Sequence, residues 1–363
     1  MRQIRVNILA ITIILICIGL VMIYSASSIY AQEKFNSGTF FLKRHILFLF
    51  IGSAICISIL YIDYKKLKNF SKPLLIAVLF LLILVLIPGI GRSAGGAQRW
   101  FRFGRFGFQP SEMANVVLIL YAADFISRKQ NLMENFVSGF LPVILILGLV
   151  CGLILIQPDL GTALAICIVV GLLLYIGGTP ISYLVYTLLA LLPLLYIMIF
   201  SVPYRRMRIL SFLNPWSDPG GSGFQIIQSQ IALASGGLFG QGLGASRQKL
   251  FFLPAAHTDF IFSIIGEELG FVGIAGVVLL FILLLICSLQ AIKNCSDPFG
   301  YYLGLGLILS ILLRAFINIA VVCGIVPTKG LPLPFISYGG SSLVFDMISV
   351  ALILNISRSS EIL

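Results

Sequence analysis

Charge is scarce in this 363-residue chain: Asp, Glu, Lys and Arg make up 10% of it, with 13 acidic residues against 24 basic ones. Soluble domains carry about 25% charged residues. Together with 59% hydrophobic residues and a mean hydropathy of +1.08, that shortage excludes a soluble globular fold. Histidine occurs only twice and cysteine seven times. Cys17, Cys56, Cys151, Cys167, Cys287, Cys295 and Cys323 form no C-x-x-C pair and no metal-ligand spacing, which leaves them as small apolar packers. No phosphate-binding P-loop pattern occurs, and no organic cofactor is expected.

What fills the chain instead is apolar runs of about 17–25 residues, each able to cross roughly 30 Å of hydrocarbon as a helix. Ten spans can be drawn, near 8–28, 45–62, 73–90, 110–127, 140–156, 161–178, 181–202, 260–288, 301–326 and 337–356. The expectation is an all-α polytopic membrane protein with one membrane domain over 1–363. Arg2 and Arg5 precede the first run, but its length and the lack of a small-x-small cleavage site make it a span rather than a signal peptide. An even number of spans puts both termini on one side. Arg2 and Arg5, with Lys65, Lys66, Lys68 and Lys72 after the second span, place that side in the cytoplasm.

Region 203–259 is then extracytoplasmic, as are the loops near 29–44, 88–109 and 327–336. Arg44, Arg92, Arg99, Arg102, Arg105, Arg205, Arg206, Arg208 and Arg247 fall outside, against Arg2, Arg5, Arg128 and Arg358 inside. That count opposes the positive-inside rule. Either the orientation is inverted or the outer arginines answer a functional need, because the first helix dominates orientation and long loops count less. Arginine binds phosphate in bidentate fashion, so the second reading points to a phosphate-bearing ligand. Contact with lipid headgroups is the alternative for Arg102 and Arg105.

Loop 88–109 holds too many glycines for a helix and runs into Pro110-Ser111-Glu112, and Gln157-Pro158-Asp159 repeats the device before the sixth span. Glu112 and Asp159 thus sit at helix N-termini, where a carboxylate complements the dipole. They are also placed to share a polar cavity with the loop that carries Asp259. Within the membrane, Arg314 and Asp346 pair as a structural lock, and Asp124 is interfacial. In the long loop, residues 214–223 read as turns and Gln225 to Ser235 as a short helix against the membrane. Gly236, Gly237, Gly240, Gly242 and Gly244 allow close backbone approach. Asp259 and Glu267 lie about 12 Å apart along one helix, too far to share a proton. Asp259 is therefore the lone base at the membrane surface, with Glu267 and Glu268 structural and His257 an orienting group.

The motifs carry a resemblance. PGIGR at 88–92, GAQRW at 96–100, QPSE at 109–112, QPDLGTA at 157–163, NPWSDPGGSGFQIIQS at 214–229, SGGLFGQGLG at 235–244, LPAAHTDFIFSIIGEELG at 253–270 and PTKGLPLPFISYGGSS at 327–342 resemble the SEDS proteins of shape, elongation, division and sporulation. Their wording leans to the division branch. Two positions depart from the family pattern: Gly95 replaces an asparagine, and Asn115 replaces a lysine that would pair with Glu112, so an arginine is the alternative partner of Glu112.

The resemblance implies a ten-helix peptidoglycan glycosyltransferase of the bacterial cytoplasmic membrane, polymerising lipid II on the outer face at the division septum. Its implied partners are a class B penicillin-binding protein and other division proteins, with no nucleic acid. Asp259 matches the family's catalytic aspartate. Arg99, Arg205, Arg206, Arg208, Glu112, Asp159, His257 and Lys329 are candidates for binding the substrate and its diphosphate. A divalent cation, Mg2+ or Mn2+, is a candidate cofactor helped by Glu112 or Asp159, although no dedicated metal cage is visible. Two other functions fit the same spans: a lipid II flippase, and a scaffold without chemistry. A flippase should gather its polar groups at the midplane, whereas most lie on one face here.

Overall fold

In a computed structural model the described residues are 2–94, 97–103, 106–250, 252–328 and 330–359. The helices among them are α1 (Arg2–Phe35), α2 (Phe40–Tyr61), α3 (Leu67–Leu84), α4 (Pro110–Arg128), α5 (Leu141–Ile156), α6 (Leu160–Ile176), α7 (Ile181–Phe200), α8 (Pro203–Leu213), α9 (Phe224–Ser235), α10 (Ile261–Lys293), α11 (Pro298–Val322) and α12 (Gly340–Ser359). Eight of them, or of the segments that contain them, are long and apolar enough to cross a membrane. The other two at expected span positions are α4 and α6, of 19 and 17 residues. The polar residues Glu112, Asn115 and Asp124 of α4 are buried. This helix is enclosed by α3, α5, α6, α11 and α12, so its flanks meet protein rather than lipid and need not be uniformly apolar. At the periphery, α7 has no buried residue in its apolar window.

Both termini lie on one face. The Arg5 guanidinium donates to the Ser357 carbonyl at 3.3 Å, and Asn355 donates to the Ile59 and Ile62 carbonyls at 2.6 Å each. The two Asn355 bonds cap the end of α2, where helix carbonyls run out of partners in the next turn. Asp124 is near that face too and is turned into the protein. It is 2% exposed, takes a hydrogen bond from Ser71 at 2.7 Å and pairs with Arg128 at 2.7 Å.

Two pieces of local structure at the opposite face were not legible beforehand. Loop 88–109 forms an antiparallel sheet of β1 (Arg92–Ala94), β2 (Ala97–Phe103) and β3 (Phe106–Phe108), in which aromatic residues such as Trp100, Phe101 and Phe108 suit a pleated strand. The start of the long loop is helical: Pro203 begins α8, which carries Arg205, Arg206 and Arg208. The helix expected from Gln225 is present as α9.

The glycine-rich run after α9 has a structural partner. Gly270 breaks α10 with φ 68° and ψ −163°, a left-handed conformation that only glycine adopts without cost. The turn 236–242 lies in the break. Gln241 and Gly242 N–H donate to the Glu267 and Glu268 carbonyls at 2.9 and 3.0 Å, while Phe271 and Val272 N–H donate to the Gly237 and Leu238 carbonyls at 2.9 and 3.1 Å. Backbone groups freed by a kink in a spanning helix must be satisfied by protein, and this turn does so.

Glu267 and Glu268 are structural, as expected. Glu267 receives the Arg247 N–H at 2.9 Å and the Ser246 hydroxyl. Glu268 pairs with Lys249 at 2.8 Å and receives the Ser25 hydroxyl at 2.7 Å. The two carboxylates thus hold the turn 244–249 against α10 and α1, ten residues before Asp259.

Candidate active site

Asp259 ends a tight turn just before α10. Ala255 has a left-handed backbone (φ 57°), and its carbonyl accepts the Thr258 and Phe260 N–H groups at 3.0 and 3.4 Å. The turn is clamped from two other elements. Asn318 of α11 donates to the Asp259 and Leu331 carbonyls at 2.8 Å each. From the segment after α11, the Ser337 hydroxyl donates to the Thr258 carbonyl at 2.6 Å, and Tyr338 N–H donates to the His257 carbonyl at 2.9 Å. Gly330 backs onto the carboxylate, because a Cβ there would stand 3.2 Å from Asp259 Oδ2. The residue as a whole is half-buried.

Burial pushes the Asp259 carboxyl up to about 6, against the opposing pull of Arg208 and then Arg99, with Asp159 adding a smaller push upward. These four groups come from four elements. Arg208 is on α8, with its guanidinium donating to the Thr328 carbonyl at 3.2 Å. Arg99 is on β2 and donates to the Gln157 carbonyl at 2.8 Å and to the Pro158 carbonyl. Its other terminal nitrogen lies 3.6 Å from Asp159. Asp159 caps α6 by accepting the Thr162 N–H at 3.2 Å, so the dipole role holds for it, and its charge is felt at Asp259.

The remaining candidates distribute unevenly. Arg205 donates to the Met198 carbonyl at the end of α7 (2.9 Å), and Arg206 is exposed. His257 lies among the rings of Phe41, Tyr30 and Tyr338, with centroids 4.5, 5.8 and 5.8 Å away. Burial lowers its pKa to about 4, so it is neutral at physiological pH and brings no charge to a diphosphate. Glu112 is 6% exposed and accepts from Arg314 at 3.1 Å. Arg314 also pairs with Asp346, the expected lock, while Asn115 hydrogen-bonds Ser310 at 2.7 Å. The space beside Glu112, Asn115 and Arg314 is only about 10 Å3, room for roughly one water and not for a shared substrate cavity. Lys329 and Arg105 lie outside the described residues.

No group of three or more His, Cys, Asp or Glu gathers to hold a metal among the described residues. The two carboxylates considered for a cation are engaged, Asp159 with Arg99 and its cap, Glu112 with Arg314. The donor set does not fit a resident divalent ion.

Sequence reading missed Asn318. Its signal was an amide inside an apolar span, which needs partners there. Asn318→Leu is expected to leave the buried Leu331 carbonyl and the part-buried Asp259 carbonyl without this donor, at roughly 1–3 kcal/mol for each group left unsatisfied. By displacing Asp259 it should lower turnover by up to about 10²-fold. Thermal unfolding and initial rates on the purified variant check both effects.

The family profile described as cell cycle protein (FtsW, RodA, SpoVE) matches residues 5–362. A relative from Geobacter metallireducens named "Probable peptidoglycan glycosyltransferase FtsW" is 46% identical over 350 residues, covering 96% of this chain and 93% of its own. "Stage V sporulation protein E" of Bacillus subtilis is 44% identical over 354 residues, covering 97% and 96%. A solved chain described under structural coordination of polymerization and crosslinking by a peptidoglycan synthase complex superposes with a TM-score of 0.80 at 29% identity, covering 97% of both chains. The rod shape determining protein RodA of Thermus thermophilus gives 0.70 at 27% identity, covering 97% and 96%. The fold and these full-length matches agree, and the chain belongs to the FtsW/RodA/SpoVE family of cell cycle proteins.

Proposed function

We propose that this chain is a peptidoglycan glycosyltransferase of cell-wall synthesis that lengthens glycan strands from a lipid-linked disaccharide, with Asp259 as general base. One observation carries the reading: a half-buried aspartate, held in a turn clamped by Asn318, Ser337 and Tyr338 at one end of an apolar bundle, has its carboxyl pushed up to about 6 and stands under the influence of two arginines. A base with that pKa is ionised at neutral pH yet still basic enough to take a proton. The acceptor sugar's hydroxyl oxygen attacks the anomeric carbon of the donor, and its proton passes to Asp259. The bond from that carbon to the diphosphate oxygen breaks, with inversion, and the polyprenyl diphosphate leaves with the negative charge. Arg208 and Arg99 are the cations that act on Asp259 and would meet that charge. No step is routed through a metal.

Lipid II is the substrate expected for such a site. Both termini are then cytoplasmic, and Asp259 and the arginines face outward. The coordination of polymerization with crosslinking in a structural neighbour supports a transpeptidase partner, and the relatives named FtsW support work at the division septum. Transport is the weaker reading, because Arg314, a buried charge inside the bundle, is held by Glu112 and Asp346.

The test is glycan polymerisation from purified lipid II by the protein with its transpeptidase partner, followed across pH. Only the ionised carboxylate accepts a proton, so activity is expected to climb with pH through about 6 and to level above it. Glycan synthesis that is flat from pH 5 to 8, or lipid II translocation without polymer, would overturn the assignment.

A further inference from the structure

Far from Asp259, towards the face that carries both termini, α1, α2 and α12 leave an apolar cavity of about 410 Å3 between them. Its floor is α12, where Val350 and Ala351 are buried. Its rim is α1 and α2, where Leu9 and Ile57 are 49% and 56% exposed, so it opens sideways towards lipid. Along α1 the lining runs from Leu9 to Leu20, which at 1.5 Å per residue is about 16 Å. That is roughly the hydrocarbon depth of one leaflet.

Arginines stand at the terminal end of this groove. Arg358 follows the lining residue Leu354 by one turn, and its guanidinium donates at 3.3 Å to the carbonyl of Leu60, itself a lining residue. Arg5 precedes Leu9 by one turn and ties α1 to α12 through the Ser357 carbonyl. Arg2 is exposed one turn further out, and the first turn of α1 holds no acidic residue. An apolar slot one leaflet deep, with cations at its headgroup end, matches the two halves of one kind of molecule. We propose that the groove binds an anionic phospholipid, one acyl chain lying along α1 and the phosphate meeting Arg2 and Arg358. The guanidinium fork suits phosphate oxygens, and a basic pocket between membrane helices is a recurrent way to hold acidic headgroups. Occupancy would fill the seam between α1, α2 and α12 without touching Asp259.

Native mass spectrometry of the full-length protein, stripped of lipid and offered phosphatidylglycerol or phosphatidylcholine of equal chain length, tests this. Each arginine near a headgroup contributes about fivefold, so phosphatidylglycerol should be retained roughly 25-fold better than phosphatidylcholine. The double variant Arg2→Ser, Arg358→Ser should bind both lipids about equally. Ser53→Phe, which fills the groove, should lose both, and Cys56→Phe repeats that test at a second lining position in case the first variant is unstable. Equal retention of the two lipids by the unaltered protein, a preference that survives loss of both arginines, or full binding by a folded groove-filled variant would each overturn the site.

Discussion

Arg314→Met is expected to be among the most destabilising single substitutions in the bundle, by about 3–5 kcal/mol. The guanidinium is 5% exposed and stands between Glu112 of α4 and Asp346 of α12. Removing it leaves two carboxylates, 6% and 1% exposed, with no cation between them. Glu112 keeps some support as an acid in the first turn of α4. Asp346 has less, although the Phe335 N–H donates to it. That bond ties the lock to the segment whose Ser337 and Tyr338 clamp the Asp259 turn, so the loss should reach the active site as well as the fold. Thermal unfolding in detergent reads the effect. The triple variant Arg314→Met, Glu112→Gln, Asp346→Asn should recover most of the stability, because it removes the unpaired charges with the cation. A single variant that melts with the unaltered protein would show that the three charges are not coupled.

Much of this architecture was legible because lipid imposes a strict rule: a spanning segment must be helical and long. All ten expected spans have a helix at their positions, and the pairing of Arg314 with Asp346 followed from the cost of isolated charge in hydrocarbon. The less apolar α4 still read as a span from its length and its Pro110 start. What stayed hidden is what hydropathy does not encode. The sheet around Trp100 and the helix α8 lie where no apolar periodicity marks them. The glycines of 236–244 suggested close approach of backbone to a ligand, and the backbone they approach is that of α10 at Gly270. Of the eight candidate binding residues, Arg208, Arg99 and Asp159 gather electrostatically around Asp259. Glu112 is drawn into the buried lock and His257 into an aromatic cluster. Spacing along the chain does not reveal which loop arginine reaches across to α10, because that depends on how α8 and β2 pack.

Asp259→Asn should produce the largest loss of activity with the least loss of structure. The backbone of Asp259, not its carboxylate, is what Asn318 holds, and an asparagine of the same shape keeps that bond while losing the ability to accept the proton. General-base catalysis contributes about 10²–10⁴-fold, and the variant should fall by that factor while binding its partner and unfolding at or above the temperature of the unaltered protein. The gain in stability is expected because a carboxylate whose ionised form is disfavoured by partial burial is replaced by a neutral amide.

The most direct measurement is the rate of glycan polymerisation from lipid II by the purified protein and by Asp259→Asn, each in complex with its transpeptidase partner. Polymer from the unaltered protein, with a rate at least about 10²-fold lower from a variant that folds and binds the partner equally well, is the predicted result. Equal rates from the two proteins would contradict the role of Asp259.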